Sequence, residues 1–223
     1  MRQPDPPAVA VLAGLPTKKT VGLTLHRVFR TERPSPWFFA GIPAGGNPDD
    51  YGRFDLPYPD GACYTATSAV GSVLETFQHL EDALLPDAEL RRRTRVTVLA
   101  PGSSPPAANL TAARTRGIGV TLELASTADR GLTQRWADQL RRAGHRALFH
   151  ALRHDPTGRL RAVTLFDKAG PHPPYGDDQG WAATRHGLDD DPALRAALRR
   201  YGITVERSDP ALPIVTVQDS GLL

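Results

Sequence analysis

The chain has 223 residues, of which 40% are hydrophobic and 23% are charged, the balance of an ordinary soluble globular protein. Its formal net charge of +3 is too small for the concentrated basic face that nucleic-acid binding usually requires. No stretch reaches the roughly 20 apolar residues of a membrane span. We therefore expect neither direct nucleic-acid binding nor membrane insertion.

The number of cysteines indicates the cellular compartment that we expect for the protein. Cys63 is the only cysteine, so the chain cannot form an internal disulfide, and a reducing cytoplasm is the natural location. The short apolar run near the start, Ala8 to Ala13, follows several prolines and is shorter than the core of a signal peptide. We expect a cytoplasmic protein.

The first predicted elements follow a proline-rich arm at residues 1–22. Leu23–Phe29 alternates and predicts a strand, and residues 31–60 predict a long loop because they are dense in Pro, Gly and Asp. Ala62–Ala66 predicts a short strand. Ser68 is then a suitable N-cap for a helix. The apolar stripe of that helix consists of Val70, Val73, Leu74, Phe77 and Leu80.

The later elements complete a mixed pattern. In chain order they are a strand at Arg95–Ala100, a helix at Asp129–Ala143, a hairpin of Ala147–Leu152 with Leu160–Phe166, a loop at 168–189, a helix at Pro192–Tyr201 and edge strands at Ile203–Glu206 and Ile214–Gln218. Short strands with a few helices, without regular βαβ alternation, predict an α+β fold.

Four side chains suggest a binding site. Arg53, Tyr64 and Glu75 fall on a loop, a strand and a helix, and together with Arg27 upstream they suit an anionic ligand that carries an aromatic ring. Arg27 has an alternative, an ion pair at the strand end. Trp37 either covers the core or faces the ligand. Glu75 has the alternative of a solvated carboxylate on the helix surface.

Other kinds of site receive less support from the sequence. His145, His150 and His154 lack the Cys or paired carboxylate of a zinc-like spacing, so we expect no metal. Cys63 lies in a buried-looking strand and is expected to pack there. The chain has no glycine-rich phosphate loop and no nucleophile elbow, although a Ser–His–Asp arrangement without one stays open.

Several sequence blocks, in order, resemble the RES domain family. They cover roughly residues 23–167 and are His26-Arg27-Val28-Phe29-Arg30, Gly52-Arg53-Phe54-Asp55-Leu56-Pro57, Cys63-Tyr64-Thr65-Ala66, Val73-Leu74-Glu75, and Arg153-His154-Asp155-Pro156 before Ala162-Val163-Thr164-Leu165-Phe166. The resemblance implies an ADP-ribosyltransferase-like fold, in which split, mixed or antiparallel β-sheets form a cleft flanked by helices. It implies a catalytic domain at 23–167. Residues 168–223 lie outside the resemblance, and we expect them to form a C-terminal extension packed on the same domain.

The resemblance also implies roles for these residues. Arg27 and Arg53 resemble the arginines that hold the pyrophosphate and ribose region, and Tyr64 resembles the aromatic that packs on nicotinamide. Glu75 resembles the catalytic glutamate, Arg27 is a second catalytic candidate, and Trp37 is an additional substrate-binding candidate. One position departs from the family: its serine precedes the block that begins at Arg153, where this chain has Leu152 after Ala151.

The implied activity is NAD cleavage by hydrolysis or phosphorolysis, with NAD as a substrate and no cofactor, in the toxin of a toxin–antitoxin pair. The alternatives are transfer of ADP-ribose to a protein and a degenerate module that binds NAD or a partner, which the missing serine motivates. The expected partners are a small helix-turn-helix antitoxin and a second copy of the chain.

Overall fold

The computed structural model describes residues 3–77, 83–172, 180–189 and 191–207. Its strands are β1 (Thr17–Lys18), β2 (Thr24–Arg30), β3 (Phe38–Phe39), β4 (Gly41–Ile42), β5 (Leu56–Pro57), β6 (Asp60–Ala66), β7 (Leu84–Pro86), β8 (Arg93–Leu99), β9 (Ala107–Asn109), β10 (Ala147–Ala151), β11 (Arg161–Lys168), β12 (Gly170–Pro171), β13 (Thr184–Gly187) and β14 (Thr204–Glu206). Its α-helices are α1 (Val9–Leu12), α2 (Ala69–Thr76), α3 (Asp87–Arg91), α4 (Glu123–Ser126), α5 (Arg130–Arg142) and α6 (Pro192–Arg200). The α+β class is confirmed. None of the described helices is long and apolar enough to cross a membrane.

An eight-stranded sheet, in the order β1-β9-β10-β11-β6-β2-β8-β13, forms the centre of the fold. β6 pairs with β11 over seven residues, and β2 pairs with β8 over seven. Between β2 and β6, however, the only paired residues in the described ladder are His26 and Ala66. The sheet is therefore split at this point into two halves, as the resemblance implies.

Apolar side chains cover both faces of the larger half. On one face α5 places Leu132, Trp136 and Leu140 against the sheet residues Leu148 and Phe166. These helix residues are four apart and share one stripe, so the predicted helix is confirmed together with its buried face. The opposite face packs a second cluster that includes Trp37, Phe39, Cys63, Val163 and Trp181.

Helix α2 spans the split, because it contacts both β2 and β6. It begins where predicted: the Ser68 hydroxyl accepts a hydrogen bond from the Gly71 N–H at 3.1 Å. Val73 and Leu74 then pack in one cluster with Val28 of β2. Val73 and Leu74 therefore anchor the helix. The adjacent helix face, which carries Ser72, Glu75 and Thr76, lies over the split.

Two predicted loops contain regular structure. Residues 31–60 hold β3, β4, β5 and a 3-10 helix at Pro48–Asp50. Residues 168–189 hold β12 and β13, and β13 pairs antiparallel with β8 at the edge of the sheet. These segments are two to four residues long, too short to show a period of alternation. The predicted strand at Ile214–Gln218, and Leu80, lie outside the described residues.

The described parts of the N-terminal arm, residues 3–22, and of the C-terminal extension, residues 168–172, 180–189 and 191–207, contact the central sheet. β1 pairs with β9, and the Trp136 indole donates a hydrogen bond to the Pro4 carbonyl at 2.9 Å. On the other side, Arg95 of β8 forms a 3.0 Å salt bridge with Asp191, the N-cap of α6.

Removing the α5 cap tests how the largest helix is anchored. The Asp129 carboxylate accepts from the Leu132 N–H at 2.8 Å. We expect Asp129→Ala to lower the free energy of unfolding by about 1 kcal/mol in chemical denaturation, because an N-terminal N–H loses its partner. Asp138→Ala is the control: it removes a 3.0 Å pair with the exposed Arg142, worth about 0.5 kcal/mol or less. Equal losses would contradict the capping role.

Candidate active site

A cavity lies in the split between β2 and β6, beside α2. Four predicted site residues line it: Arg27, Arg53, Tyr64 and Glu75. We name it the Glu75 cavity. Its wall also includes His26, Phe38, Asp55, Ser72 and Thr76, whose roles the sequence did not indicate. The structure thus brings together residues from a strand on each side of the split, a loop and a helix.

Arg27 is 5% exposed and bonds to backbone rather than to a carboxylate. Its Nη1 donates to the Tyr64 carbonyl at 2.8 Å, and its Nη2 lies 3.5 Å from the Phe38 carbonyl. Its buried Nε has no hydrogen-bond partner among the described residues. The alternative of a strand-end ion pair is not formed in the described part of the chain. A buried donor without a partner is costly, so Arg27 is suited to a ligand acceptor.

Arg53 is equally buried and is held at two points. Its Nη1 donates to the Thr127 carbonyl at 2.5 Å and its Nη2 donates to the Leu124 carbonyl at 2.7 Å, both at the end of α4. Burial, and then the charge of Arg153, lower the pKa of Arg53 to about 10. Both terminal nitrogens of Arg53 are therefore bonded to backbone carbonyls, and these bonds hold the guanidinium in place.

Tyr64 organises the loop that carries Arg53. Its hydroxyl donates to Asp55 Oδ1 at 2.8 Å and accepts from the Phe54 N–H at 2.9 Å. The other Asp55 oxygen accepts from the Gly52 N–H at 2.7 Å. A Cβ at Gly52 would lie 2.5 Å from the Tyr64 oxygen, so this position has room only for glycine. The Tyr64 hydroxyl is satisfied by the protein, and the rest of the residue contributes to the cavity wall.

Glu75 faces the cavity from α2, together with Ser72 and Thr76. This spacing of three and four residues places them on one helix face, and it is the signal that identifies the two hydroxyl residues. The hydroxyls donate to carbonyls within the helix, at 2.7 Å for Ser72 and 2.8 Å for Thr76. Glu75 has no hydrogen bond or salt bridge to any residue that the structure describes. Burial raises the pKa of Glu75, against the opposing charges of Arg53 and Arg153.

His26 connects the cavity wall to the outer strands. Its Nδ1 lies 3.1 Å from Nη1 of Arg95 and 3.1 Å from the hydroxyl of Thr97. A guanidinium only donates, so Nδ1 is the acceptor and Nε2 carries the ring proton. Burial, followed by the charges of Arg95 and His186, lowers the pKa of His26 to about 4. The ring is neutral at physiological pH.

Two positions singled out in the sequence lie outside the cavity wall. Trp37 is 3% exposed and packs edge-to-face against Trp181 at 5.5 Å, so its core interpretation is the one that the structure supports. Leu152 is buried with Ala66 and Ala162, and its Cδ1 lies 3.0 Å from the place of a Cβ on Gly71. The position expected to carry a serine therefore places no hydroxyl in the Glu75 cavity.

Two of the three histidines considered as metal ligands, His145 and His150, bond to groups within the protein. His145 Nε2 bonds to the Leu12 carbonyl at 2.9 Å, and the two ring nitrogens of His150 bond to the Ala151 carbonyl and the Thr164 hydroxyl. Within residues 3–77, 83–172, 180–189 and 191–207, no three His, Cys, Asp or Glu side chains form a cluster able to hold a metal ion.

Comparison with known proteins identifies the family of the chain. The model of the RES domain family matches residues 24–187. The chain belongs to the RES domain family. The match includes every residue named above in the Glu75 cavity and extends to the end of β13, beyond the boundary at 167 expected from the sequence.

Structural comparison gives a second view of this RES domain. A chain in the crystal structure of the M. tuberculosis MbcT–MbcA toxin–antitoxin complex superposes with a TM-score of 0.55 and 15% identity, covering 86% of this chain and 94% of that chain. At this identity the likeness shows a shared fold. No curated protein matches the sequence.

The bond between Tyr64 and Asp55 predicts a pH-dependent effect of Tyr64→Phe. Burial raises the pKa of Asp55 to about 6. Above that pH the carboxylate is charged and its bond from Tyr64 is charge-assisted, whereas below it the acid is neutral. We expect the variant to lose about 1–3 kcal/mol of unfolding free energy, with a larger loss at pH 8 than at pH 5.

Chemical denaturation at the two pH values measures this effect. Tyr58→Phe is the matched control, because that side chain is 69% exposed and its loss of a hydroxyl should have little effect at either pH. A loss in Tyr64→Phe that does not change between pH 5 and pH 8 would show that Asp55 keeps one protonation state across this range.

Proposed function

We propose that this RES domain protein cleaves NAD between nicotinamide and ribose, as a glycohydrolase or phosphorylase, and acts as the toxin of a toxin–antitoxin pair. The observation that carries the proposal is Glu75. It is a cavity-facing carboxylate without a hydrogen-bond partner among the described residues. The positive charges of Arg53 and Arg153 act to lower its pKa. Such a carboxylate is available to a ligand.

The chemistry of NAD cleavage suits one carboxylate that no described residue holds by a hydrogen bond. When the bond between C1′ and the nicotinamide nitrogen breaks, the electron pair leaves with the nicotinamide, which departs neutral and needs no general acid. Positive charge develops on the ribose, as in glycoside hydrolysis, and Glu75 stabilises it. Water then bonds to C1′ and gives up one proton, which passes to Glu75 and on to solvent. In phosphorolysis a phosphate oxygen bonds to C1′ instead.

Two further wall residues support binding of this substrate. The partnerless Nε–H of Arg27 is suited to a ligand oxygen. Tyr64, held by Asp55 and Phe54, provides an aromatic side chain for the flat, electron-poor nicotinamide ring. In this role Arg27 and Tyr64 position the substrate while Glu75 acts on C1′.

Glu75→Gln is the decisive variant. It keeps the shape of the side chain and removes the charge, so we expect nicotinamide release to fall by about 100-fold or more. Purified protein is incubated with NAD, with and without phosphate, and nicotinamide and ADP-ribose are separated by chromatography. Glu206→Gln, on an exposed residue of β14, is the control and should keep full activity. A fully active Glu75→Gln enzyme would remove Glu75 from the mechanism.

The same assay separates the alternatives. ADP-ribose as product indicates hydrolysis, its phosphorylated form indicates phosphorolysis, and labelled protein indicates ADP-ribosyl transfer. A binding module is the second candidate, favoured by one observation: Leu152 packs against Gly71 and places no hydroxyl beside Glu75. NAD that binds in calorimetry without release of nicotinamide would support that candidate.

The toxin role predicts an effect on cells. Depletion of NAD should arrest growth when the wild-type chain is expressed in a bacterial host, and Glu75→Gln should relieve the arrest. Colony counts after induction measure this, with equal protein levels confirmed by blotting. Arrest by both forms would mean that toxicity does not depend on Glu75. We further propose a cytoplasmic location, a small helix-turn-helix antitoxin as partner, and self-association as a homodimer.

A further inference from the structure

The two arginines in the Glu75 cavity already hold protein groups. Arg53 uses both terminal nitrogens on the carbonyls of Thr127 and Leu124, and Arg27 bridges to Tyr64 and Phe38. An arginine that binds a phosphate most strongly does so with two parallel N–H groups. Neither Arg27 nor Arg53 offers both terminal nitrogens without giving up existing bonds.

Arg153 lies on the turn that follows β10, and the fold holds this turn beside α2. Leu152, its neighbour, packs against Gly71 of α2 and donates its N–H to the Leu160 carbonyl at 3.3 Å. Asp155 closes the turn by accepting hydrogen bonds from the N–H groups of Thr157 and Leu160. The backbone around Arg153 is therefore well anchored.

The Arg153 side chain retains its donors. It is half-buried and has no hydrogen bond or salt bridge to any described residue. Its charge acts on both Arg53 and Glu75, lowering the pKa of the first and opposing the rise in the pKa of the second. The guanidinium groups of Arg27, Arg53 and Arg153 outnumber the carboxylates of Asp55 and Glu75, and this excess of positive charge favours an anion.

We propose that Arg153 binds a phosphate oxygen of the ligand that occupies the Glu75 cavity. The assignment rests on the proposed function, because it places the phosphate next to the carboxylate that acts on C1′. The oxygen comes either from the pyrophosphate of the dinucleotide or from free phosphate acting as acceptor. The rival role for Arg153 is structural, an ion pair with Glu75 that forms in solution and serves stability alone.

Calorimetry on the purified full-length chain tests the assignment. The probes are inorganic phosphate, ADP-ribose and, as a probe without phosphate, nicotinamide. The variant is Arg153→Gln, and the control is Arg159→Gln, an exposed arginine on the same turn. We expect Arg153→Gln to weaken at least one phosphate-bearing probe by about 10- to 100-fold, the effect of one or two charge-assisted hydrogen bonds. Nicotinamide binding and the binding by Arg159→Gln should not change.

Each outcome decides a point. Weaker binding of ADP-ribose alone assigns Arg153 to the pyrophosphate, and weaker binding of inorganic phosphate alone assigns it to the acceptor. Unchanged affinities in Arg153→Gln, or a wild-type protein that binds neither phosphate-bearing probe, overturn the proposal. A lower thermal midpoint with unchanged affinities would identify the structural ion pair. Arg153→Lys keeps the positive charge but loses the two parallel N–H groups of the guanidinium, so its affinity for the phosphate-bearing probe should be intermediate. This variant replaces Arg153→Gln in the test if the glutamine variant does not fold.

The binding experiment is independent of NAD cleavage. If Arg153→Gln loses phosphate binding while the wild-type enzyme releases no nicotinamide, the Arg153 assignment stands and the proposed activity fails. If the wild-type enzyme releases nicotinamide and Arg153→Gln binds both phosphate-bearing probes normally, the activity stands and the Arg153 assignment fails.

Discussion

The hydrogen bond from Arg27 to the Tyr64 carbonyl allows the sheet to open without leaving that carbonyl unpaired. On the side of β6 that faces the split, Ala62 exchanges hydrogen bonds with Ala40, and Ala66 pairs with His26. Between them, the Tyr64 carbonyl receives a guanidinium at 2.8 Å where a continuous sheet would supply a backbone N–H. Burying this cation is costly, and the partnerless Nε shows that the protein compensates only part of the cost.

A second buried network gives the cavity its opposite wall. Asp55 is fully buried and accepts hydrogen bonds from the Tyr64 hydroxyl and the Gly52 N–H, so two buried hydrogen bonds hold the loop before β5 against β6. Within that loop the side chains alternate. Arg53 and Asp55 turn to the cavity, while Phe54 turns to the core and packs edge-to-face with His150 at 4.7 Å. Hydrogen bonds to Asp55 therefore hold the loop on its cavity side, and the packing of Phe54 holds it on its core side.

The sequence predicted the elements that depend on residues close together in the chain, such as helix α2 with its N-cap. Ser68 caps α2 as expected, because an N-cap depends on residues three positions away, and the helix predicted at Asp129–Ala143 is α5. β13 was missed, since its Thr-Arg-His-Gly sequence has no apolar alternation and the strand exists through pairing with β8. Arg53 illustrates the same limit in the site: its bond to the Leu124 carbonyl spans 71 residues, and no local spacing encodes it.

Side-chain types and then the family resemblance grouped the site residues, and the structure shows which of them line one cavity. Arg27, Arg53, Tyr64 and Glu75 converge on one cavity, whereas Trp37 lies in the core. An aromatic residue in a loop has the same sequence signature whether it covers a core or a ligand, so the two interpretations of Trp37 were equivalent before the structure. Ser72 and Thr76 were detectable in principle, because their spacing from Glu75 is helical.

The position of β13 bears on where this RES domain can be cut. β13 covers one edge of β8, and Asp191, just beyond it, holds the Arg95 guanidinium that contacts His26 in the cavity wall. A chain ending at residue 167 would expose the N–H and C=O groups along β8, a template for edge-to-edge aggregation. It would also release Arg95 from its carboxylate. The minimal fragment that keeps both the sheet and the cavity wall therefore extends at least to Asp191, the N-cap of α6.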